Sequence, residues 1–364
     1  MKLVYLIHSL GNAGGVERVL TAKANFLAER YGYDITIITA KQRGLPPYFP
    51  LNPSIKLIDL DVNFYSRIRL PRYMKRLEAA LMSLKCDICC SLTNYEIYGL
   101  SKIKDGSVKI AEYHFSHDRW FLEKGRHSLK AAVRVRRLEN AIRTVDNFVV
   151  LTRADAETWK RIRPDVKQIY NPCTYKIGHA TLDAKVFIAT GRLCRQKNYQ
   201  PMIRAWKAVT DKHPDWTLRI FGQGGEIDEL LQLISELGLQ DKITIEKPVK
   251  DISKVMLESS GLLMTSRYEG FPMVMLEALS QGLPLVSFNC ECGPSEIIEE
   301  GVNGYLVDPE DTAAFADRIN TLIENPGLRK KMGEASSRLA EQFSEESIIA
   351  RWHQLFSESL ENRR

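Results

Sequence analysis

Residues 261–288 of the 364-residue chain read GLLMTSRYEGFPMVMLEALSQGLPLVSF. The apolar run 261–265 predicts a strand, and 285–288 predicts a second one. The segment 272–281 between them predicts a helix, since proline is tolerated at the first helical position. Strand, helix and strand in this order predict two parallel strands joined by a crossover helix, which is an α/β fold.

The same alternation extends along the whole chain. Strands are predicted at 2–8, 34–40, 55–60, 87–92, 108–113, 147–151, 167–170, 184–190, 217–221, 243–246 and 305–307, in addition to the two above. Further helices are predicted at 16–30, 70–84, 199–211, 226–237 and 311–324. Such alternation is typical of parallel sheets covered by helices.

The length predicts two domains, because single cores stop growing beyond roughly 250–300 residues. Proline after Asn171 and the polar stretch that follows predict a hinge at 171–182. We expect two Rossmann-like, doubly wound parallel-sheet domains, 1–172 and 173–343, that face a cleft and bind ligands at the carboxyl ends of their strands. Residues 344–361 predict a helix too polar for a core, and we expect 344–364 to cross back to the amino-terminal domain.

Composition excludes several classes of protein. With 44% apolar and 26% charged residues, the chain is neither disordered nor fibrous. Its seven cysteines form no two CxxC pairs at zinc spacing, which favours reduced core thiols. His114 and His117 lack a carboxylate set at ligand spacing, so we expect no metal. No apolar run approaches the roughly 20 residues of a spanning helix, and the first residues lack a signal-cleavage site. We therefore expect a cytoplasmic protein that binds peripherally to the inner face of the membrane.

The two halves of the chain differ in charge. Residues 1–172 contain 29 Lys and Arg against 17 Asp and Glu, a net charge of +12, whereas the whole chain carries +6. A basic half indicates polyanionic partners, such as anionic lipid, a phosphorylated substrate or nucleic acid. We expect no nucleic acid, because no recognition module and no interleaved aromatics accompany the basic runs.

Glycines and cations follow several predicted strands. Gly14 and Gly15 lie between the first strand and a helix, where backbone N–H groups attract anions, although a structural turn explains such glycines equally well. Arg192 and Lys197 follow the strand at 184–190, where they could neutralise a diphosphate or belong to a solvated loop. Gly222 begins a third such loop.

Two carboxylates flank the start of the helix at 272–281. Glu269 lies on the loop that leads into this helix, and Glu277 lies inside it. Carboxylates so placed can accept hydrogen bonds from sugar and ribose hydroxyls. The leading N–H groups of the helix remain available to phosphate.

Taken together, these motifs resemble the retaining glycosyltransferases of the GT-B class, family 4, which includes many bacterial capsule and lipopolysaccharide enzymes. The resemblance covers essentially the whole length through GGVERV, GRLCRQKN, FGQGG, EGFPMVMLE and GPSEIIEEGVNGYLVDPED. The motifs are individually weak, but their order and spacing are specific.

The resemblance implies a role for each matching residue. In the family, residues matching Gly14 and Gly15 cradle the diphosphate, those matching Arg192 and Lys197 stabilise it as it leaves, and the one matching His114 reaches the donor sugar. A satisfied structural histidine remains an alternative. The donor-binding residues implied are Glu269 for the sugar hydroxyls, Gly270, Phe271 and Pro272 for the pocket wall, Glu277 for the ribose, Gly222, and Val249 against the base.

The implied reaction transfers a hexose or N-acetylhexosamine from a nucleotide diphosphate sugar to a glycan. Negative charge develops on the diphosphate as the anomeric bond breaks, so fixed cations stabilise the transition state without a metal or other cofactor. Retention of configuration follows from the family. We expect UDP rather than GDP only because UDP is the commoner nucleotide among such donors, and the sequence leaves open which sugar is transferred.

The basic half predicts the acceptor. Residues 70–84 place Leu70, Met74, Leu77, Leu81 and Leu84 on one helical face opposite Arg72, Lys75 and Arg76, and residues 119–137 add Lys124, Arg126, Lys130, Arg134, Arg136 and Arg137. Basic amphipathic helices are typical of membrane surfaces, and the alternative is an ordinary helix with a solvated basic face. Within the family, this arrangement resembles enzymes that extend glycans on polyprenyl diphosphate carriers, and the resemblance implies a polyprenyl-diphosphate-linked acceptor at an anionic membrane surface. The competing functions are a transferase with a soluble acceptor and an epimerase or hydrolase of the same fold.

Overall fold

The chain forms two compact units. The computed structural model describes residues 1–62, 70–92, 97–124 and 128–363. Met1–Thr174 and Glu345–Arg364 form the first unit, and Tyr175–Ser344 forms the second. Within the described ranges, none of the helices is both long enough and apolar enough to span a bilayer.

The first unit contains a seven-stranded parallel sheet. Its strands are β1 (Lys2–Ile7), β2 (Asp34–Thr39), β3 (Lys56–Asp59), β4 (Ile88–Ser91), β5 (Val108–Tyr113), β6 (Asn147–Val150) and β7 (Lys167–Gln168). They lie in the order β3-β2-β1-β4-β5-β6-β7. The chain order reverses between β1 and β4, and such a switch point is where open α/β sheets bind ligands.

Helices cover both faces of this sheet. They are α1 (Gly15–Tyr31), α2 (Leu70–Leu84), α3 (Ile97–Leu100), α4 (Arg119–Lys124), α5 (Leu129–Ile142) and α6 (Arg153–Lys160). Hydroxyl N-caps begin α5 and α6, where Ser128 and Thr152 accept hydrogen bonds from backbone N–H groups in the first turn. One core cluster includes Leu77 and Leu81 of α2, and a second includes Trp159 of α6.

The second unit contains a six-stranded parallel sheet. Its strands are β8 (Val186–Thr190), β9 (Thr217–Phe221), β10 (Ile243–Glu246), β11 (Leu262–Met264), β12 (Leu285–Phe288) and β13 (Gly304–Val307), in the order β10-β9-β8-β11-β12-β13. Its helices are α7 (Tyr199–Lys212), α8 (Ile227–Glu236), α9 (Ile252–Leu257), α10 (Met273–Ser280), α11 (Pro294–Ile297), α12 (Thr312–Glu324) and α13 (Pro326–Ala340), followed by a 3₁₀ turn at Glu341–Phe343. The switch point lies between β8 and β11.

This architecture confirms the predicted doubly wound α/β fold. Each strand of the described ranges overlaps a predicted run, with ends that agree within two residues, and β13 begins one residue earlier than predicted. The helices at 97–100, 119–124, 129–142, 153–160, 252–257, 294–297 and 326–340 were not among the predicted ones.

The prediction that the C-terminal helix is too polar for a core is wrong. This helix, α14 (Glu345–Glu361), belongs to the first unit and packs against α1. The buried side chains of Ile348, Ile349, Trp352 and Phe356 form one stripe at helical spacing. Averaging over the segment hid this stripe, because the exposed face is densely charged.

Candidate functional site

The switch point of the second sheet brings two predicted site residues into contact. The loop after β8 carries Lys197, and the loop after β11 carries Glu269. The Lys197 ammonium Nζ donates to Glu269 Oε1 at 2.7 Å. Their side chains are 17% and 7% exposed, so the pair is mostly shielded from water.

Polar side chains tie these two loops together. Gln196 Nε2 donates to the Tyr268 carbonyl at 3.0 Å, and the Arg267 N–H donates to the Gln196 carbonyl at 2.8 Å. Asn198 is left-handed, with φ of 54°, and its carbonyl accepts from Thr265 Oγ1 at 2.8 Å. Asparagine adopts this conformation more readily than most residues. These hydrogen bonds hold the two loops together.

Gly222 allows a third loop to lie against them. A Cβ on Gly222 would lie 2.1 Å from the carbonyl oxygen of Gly191, far inside van der Waals contact. Gly191 itself has φ of 153°, and its N–H donates to the Phe221 carbonyl at 3.0 Å. Gly222 thus supports the loop that carries the cations.

The guanidinium of Arg192 is the second cation of this loop. Arg192 is exposed, and its Nη2 donates to Gln196 Oε1 at 3.2 Å. Arg192 and Lys197 place two cations at the carboxyl end of β8, where a diphosphate could bind both.

Neutral groups surround the buried carboxylate. Burial first, and the charge of Glu269 second, raise the pKa of the Tyr199 hydroxyl. The same two causes raise the pKa of the Cys290 thiol. Both groups therefore stay protonated at neutral pH and add no charge beside the Lys197–Glu269 contact.

The start of α10 presents the other predicted donor residues. We predicted Pro272 as the first helical residue, but it is the N-cap, and α10 begins one residue later at Met273. Phe271 is buried against Phe343 at 5.9 Å between ring centroids, and Gly270 is half-buried. Glu277 lies one turn into the helix and is 7% exposed.

Gly293 allows a close approach of the backbone to the start of α10. A Cβ on Gly293, which has φ of 106°, would lie 2.4 Å from Pro272 Cδ.

Val249 lies on the loop after β10 and is 42% exposed. A role for Val249 against the base stays a prediction.

In the first unit, Gly14 and Gly15 lie at the switch point after β1, whereas His114 follows β5. Gly14 is the N-cap of α1, and Gly15 is the first residue of the helix. The carboxylate of Glu17 lies against Gly14, since a Cβ there would be 2.2 Å from Glu17 Oε2. Burial raises the pKa of Glu17, and the nearby charge of His114 opposes that shift. The predicted phosphate loop therefore adjoins a carboxylate that sequence reasoning missed.

The two basic runs lie on helix surfaces of the first unit. In α2, Arg72, Lys75 and Arg76 are exposed, while Leu77 and Leu81 are fully buried. The apolar face of α2 therefore packs on its own sheet. In α5, the cations Lys130, Arg134, Arg136 and Arg137 are exposed. Arg126 and the side chain of Lys124 lie outside the described residues.

Sequence reasoning also missed the polar contacts that connect distant loops of the second unit. Asn198 Nδ2 donates to Glu310 Oε1 at 3.1 Å, and Arg267 Nη1 lies 3.2 Å from the same oxygen. Their positions in sequence carry no signal, because the contacts join residues up to 112 positions apart. Over the described ranges, we find no group of three His, Cys, Asp or Glu side chains able to hold a metal.

Comparison with known proteins places the chain in a family. The family Glycosyltransferase Family 4 matches residues 13–174, and the family Glycosyl transferases group 1 matches residues 176–338. An uncharacterized glycosyltransferase of Haemophilus influenzae is 28% identical over 96% of this chain and 98% of its own length. The amylovoran biosynthesis glycosyltransferase AmsD of Erwinia amylovora is 28% identical over 98% and 99%.

Solved structures show the same fold. A crystal structure of a variant of TarM from S. aureus, in complex with fondaparinux, alpha-GlcNAc-glycerol and UDP, superposes with a TM-score of 0.81 at 15% identity. The superposition covers 98% of this chain and 99% of that one. The two family matches, the full-length relatives and this fold lead to one conclusion: the chain belongs to the GT-B glycosyltransferases of the family 4 type.

Proposed function

We propose that the protein transfers a hexose or N-acetylhexosamine from a UDP-sugar to a glycan, with retention of configuration and without a metal ion. The observation that carries the proposal is the Lys197–Glu269 pair, with Arg192 on the same loop, at the switch point of the second sheet. This arrangement places two cations, which could bind a diphosphate, beside a mostly buried carboxylate, which could accept hydrogen bonds from sugar hydroxyls.

The charges account for the chemistry. When the anomeric C–O bond breaks, its electron pair passes to the diphosphate oxygen, and the ammonium of Lys197 and the guanidinium of Arg192 stabilise the new charge. Glu269 accepts hydrogen bonds from the donor sugar, because an ionised carboxylate only accepts. Glu277 holds the ribose in the same way.

UDP is the proposed nucleotide because the structurally similar TarM variant is in complex with UDP. The test is a thermal-shift screen of UDP-glucose, UDP-galactose, UDP-N-acetylglucosamine and GDP-mannose. A ligand at 100 times its dissociation constant stabilises a protein by about 2.7 kcal/mol. A shift confined to GDP-mannose would contradict the choice of UDP.

Product analysis tests the reaction itself. NMR of the product should show the anomeric configuration of the donor, and EDTA should leave the rate unchanged. An inverted product, or a rate that EDTA abolishes and Mg²⁺ restores, contradicts the proposed mechanism. Free monosaccharide without transfer would favour a hydrolase.

The proposed acceptor is a glycan on a polyprenyl diphosphate at an anionic membrane. Exposed Leu129 and Val133, which are 83% and 56% accessible, lie one turn apart on α5 among the cations Lys130 and Arg134. Apolar side chains flanked by cations are typical of helices that lie on a membrane surface. The chain is similar to AmsD, a glycosyltransferase of amylovoran biosynthesis, and this similarity supports a glycan acceptor.

Vesicle flotation tests this surface. The protein should float with phosphatidylglycerol vesicles and less with phosphatidylcholine vesicles. Lys130→Glu/Arg134→Glu should abolish the difference, because each cation near the surface contributes about 1 kcal/mol. The matched control Lys212→Glu/Lys331→Glu reverses two exposed charges in the second unit and should bind as wild type does. Equal binding to both vesicle types would indicate a soluble acceptor.

A further inference from the structure

A buried group of charged side chains lies directly behind His114. His114 follows β5, and Glu112 precedes it by two positions, so both side chains point to the same face of the extended chain. His114 Nε2 lies 3.2 Å from Glu112 Oε1, with side chains 2% and 1% exposed. The contact is close but poorly aligned for a hydrogen bond. Catalytic hydrogen bonds are often misaligned without substrate and tighten when it binds.

The other carboxylate oxygen of Glu112 is occupied. Its Oε2 accepts from the ammonium of Lys23 in α1, which is itself fully buried. The Lys23 Nζ lies 3.8 Å from the centroid of the Trp352 ring in α14 and 5.2 Å from that of Tyr5 in β1. Lys23 is therefore fixed by one carboxylate and by two aromatic faces.

Fold stability alone does not account for this arrangement. Replacing a buried ion pair with apolar residues of similar volume is often neutral or stabilising. The pair lies next to the one histidine to which the family resemblance gives a role at the donor sugar.

We infer that Glu112 is a positioning residue for His114, and that Lys23 and Trp352 hold Glu112 in place. The inference rests on the proposed function, because it assumes that His114 meets the donor sugar. A carboxylate beside one imidazole nitrogen favours a proton on that nitrogen and fixes the ring orientation. The other ring nitrogen is then presented to the sugar in one tautomer. Glu17 of α1 also lies close enough for an electrostatic interaction with His114, whose charge opposes the rise that burial causes in the pKa of Glu17.

The network also assigns a task to the C-terminal helix. Trp352 comes from α14, more than 200 residues after His114, yet its ring covers the ammonium that neutralises Glu112. Packing of α14 on the first unit thereby helps to hold the Lys23 ammonium against Glu112.

Two double variants separate positioning from structural support. Lys23→Met/Glu112→Leu removes both charges and the acceptor, whereas Lys23→Met/Glu112→Gln removes both charges but keeps an acceptor oxygen beside His114. We expect kcat to fall about 10–100-fold in the first, with a smaller change in the donor KM, and to recover largely in the second. A structural role predicts that the two variants behave alike.

The matched control is a second buried ion pair of the same unit. Lys109 of β5 pairs with Asp105, and their side chains are 6% and 0% exposed. Lys109→Met/Asp105→Leu should leave kcat unchanged after correction for the folded fraction. Should the apolar variant of the His114 network fail to fold, Trp352→Leu replaces it, with lowered kcat as the expected result.

NMR of ¹⁵N-labelled histidine provides a readout that does not require activity. Wild-type His114 should show a single tautomer, and Lys23→Met/Glu112→Leu should show a mixture. Unchanged His114 resonances, or wild-type kcat in the apolar variant, overturn the inference. If the wild type transferred sugar from none of the nucleotide sugars, the proposed function would be overturned instead. The His114 resonances would still test whether Glu112 positions His114.

Discussion

Replacing Lys197 with methionine isolates the cation on which the proposed mechanism depends. The ammonium donates to Glu269 at 2.7 Å, and methionine keeps most of the length of the side chain without the charge. Two effects follow: the developing diphosphate charge loses a stabilising group, and a carboxylate that is only 7% exposed loses its partner.

The two effects have separate magnitudes. Removing one preorganised group that stabilises transition-state charge typically lowers kcat by about 10²–10³, which is about 2.7–4 kcal/mol. Stranding a buried charge destabilises the fold by about 3 kcal/mol. Because Lys197→Met/Glu269→Gln leaves no unpaired buried charge, it should recover part of that stability but none of the activity.

Steady-state kinetics and urea unfolding measure the two effects. For Lys197→Met we expect kcat to fall far more than the donor KM rises, since the charge is needed most in the transition state. The matched control is Lys185→Met, which removes an exposed lysine paired with Asp215 in the same unit and should change stability by less than about 1 kcal/mol. A wild-type kcat in folded Lys197→Met, or equal changes in kcat and KM, would refute the assigned role.

Three further substitutions test other parts of the account. Gly222→Ala places a methyl group 2.1 Å from a loop carbonyl, so we expect a loss of about 1–3 kcal/mol in urea unfolding and a lower kcat, whereas Gly225→Ala, with nothing within 4 Å, should match wild type. Glu277→Ala should weaken UDP binding in calorimetry by about tenfold or more, the value of a hydrogen bond to a charged group, and an unchanged Kd would contradict the ribose contact. Burial raises the pKa of Glu112, but Lys23 and His114 outweigh it and lower that pKa from 4.5 to about 2 in the folded protein. Its contribution to stability is therefore complete above about pH 4.5 and is lost as the pH falls towards 2, so Lys23→Met/Glu112→Leu should show a shallower acid loss than wild type. If both proteins lost stability equally as the pH falls, the Glu112 carboxylate would not be the group that causes the acid loss.

Much of the fold could be predicted from the sequence because its signals are local. Apolar, β-branched runs such as those of β2 and β8 alternate with helical patterns, and this alternation implies parallel sheets. Candidate site residues such as Lys197 and Glu269 could be located because they lie in the loops that follow predicted strands.

The missed features depend on contacts between distant parts of the chain. Lys23 and Trp352 are more than 300 positions apart, and neither stands out from its helix by composition. The Glu17 carboxylate against Gly14 was missed for another reason, since its direction depends on how the first turn of α1 packs. The buried stripe of α14 was present in the sequence, but average polarity concealed it.

A crystal structure with bound UDP tests the central claim most directly. The account predicts a diphosphate at the carboxyl ends of β8 and β11, with its oxygens about 3 Å from the Lys197 ammonium and the Arg192 guanidinium. Ordered UDP elsewhere on the protein, with both side chains left away from phosphate, would contradict it.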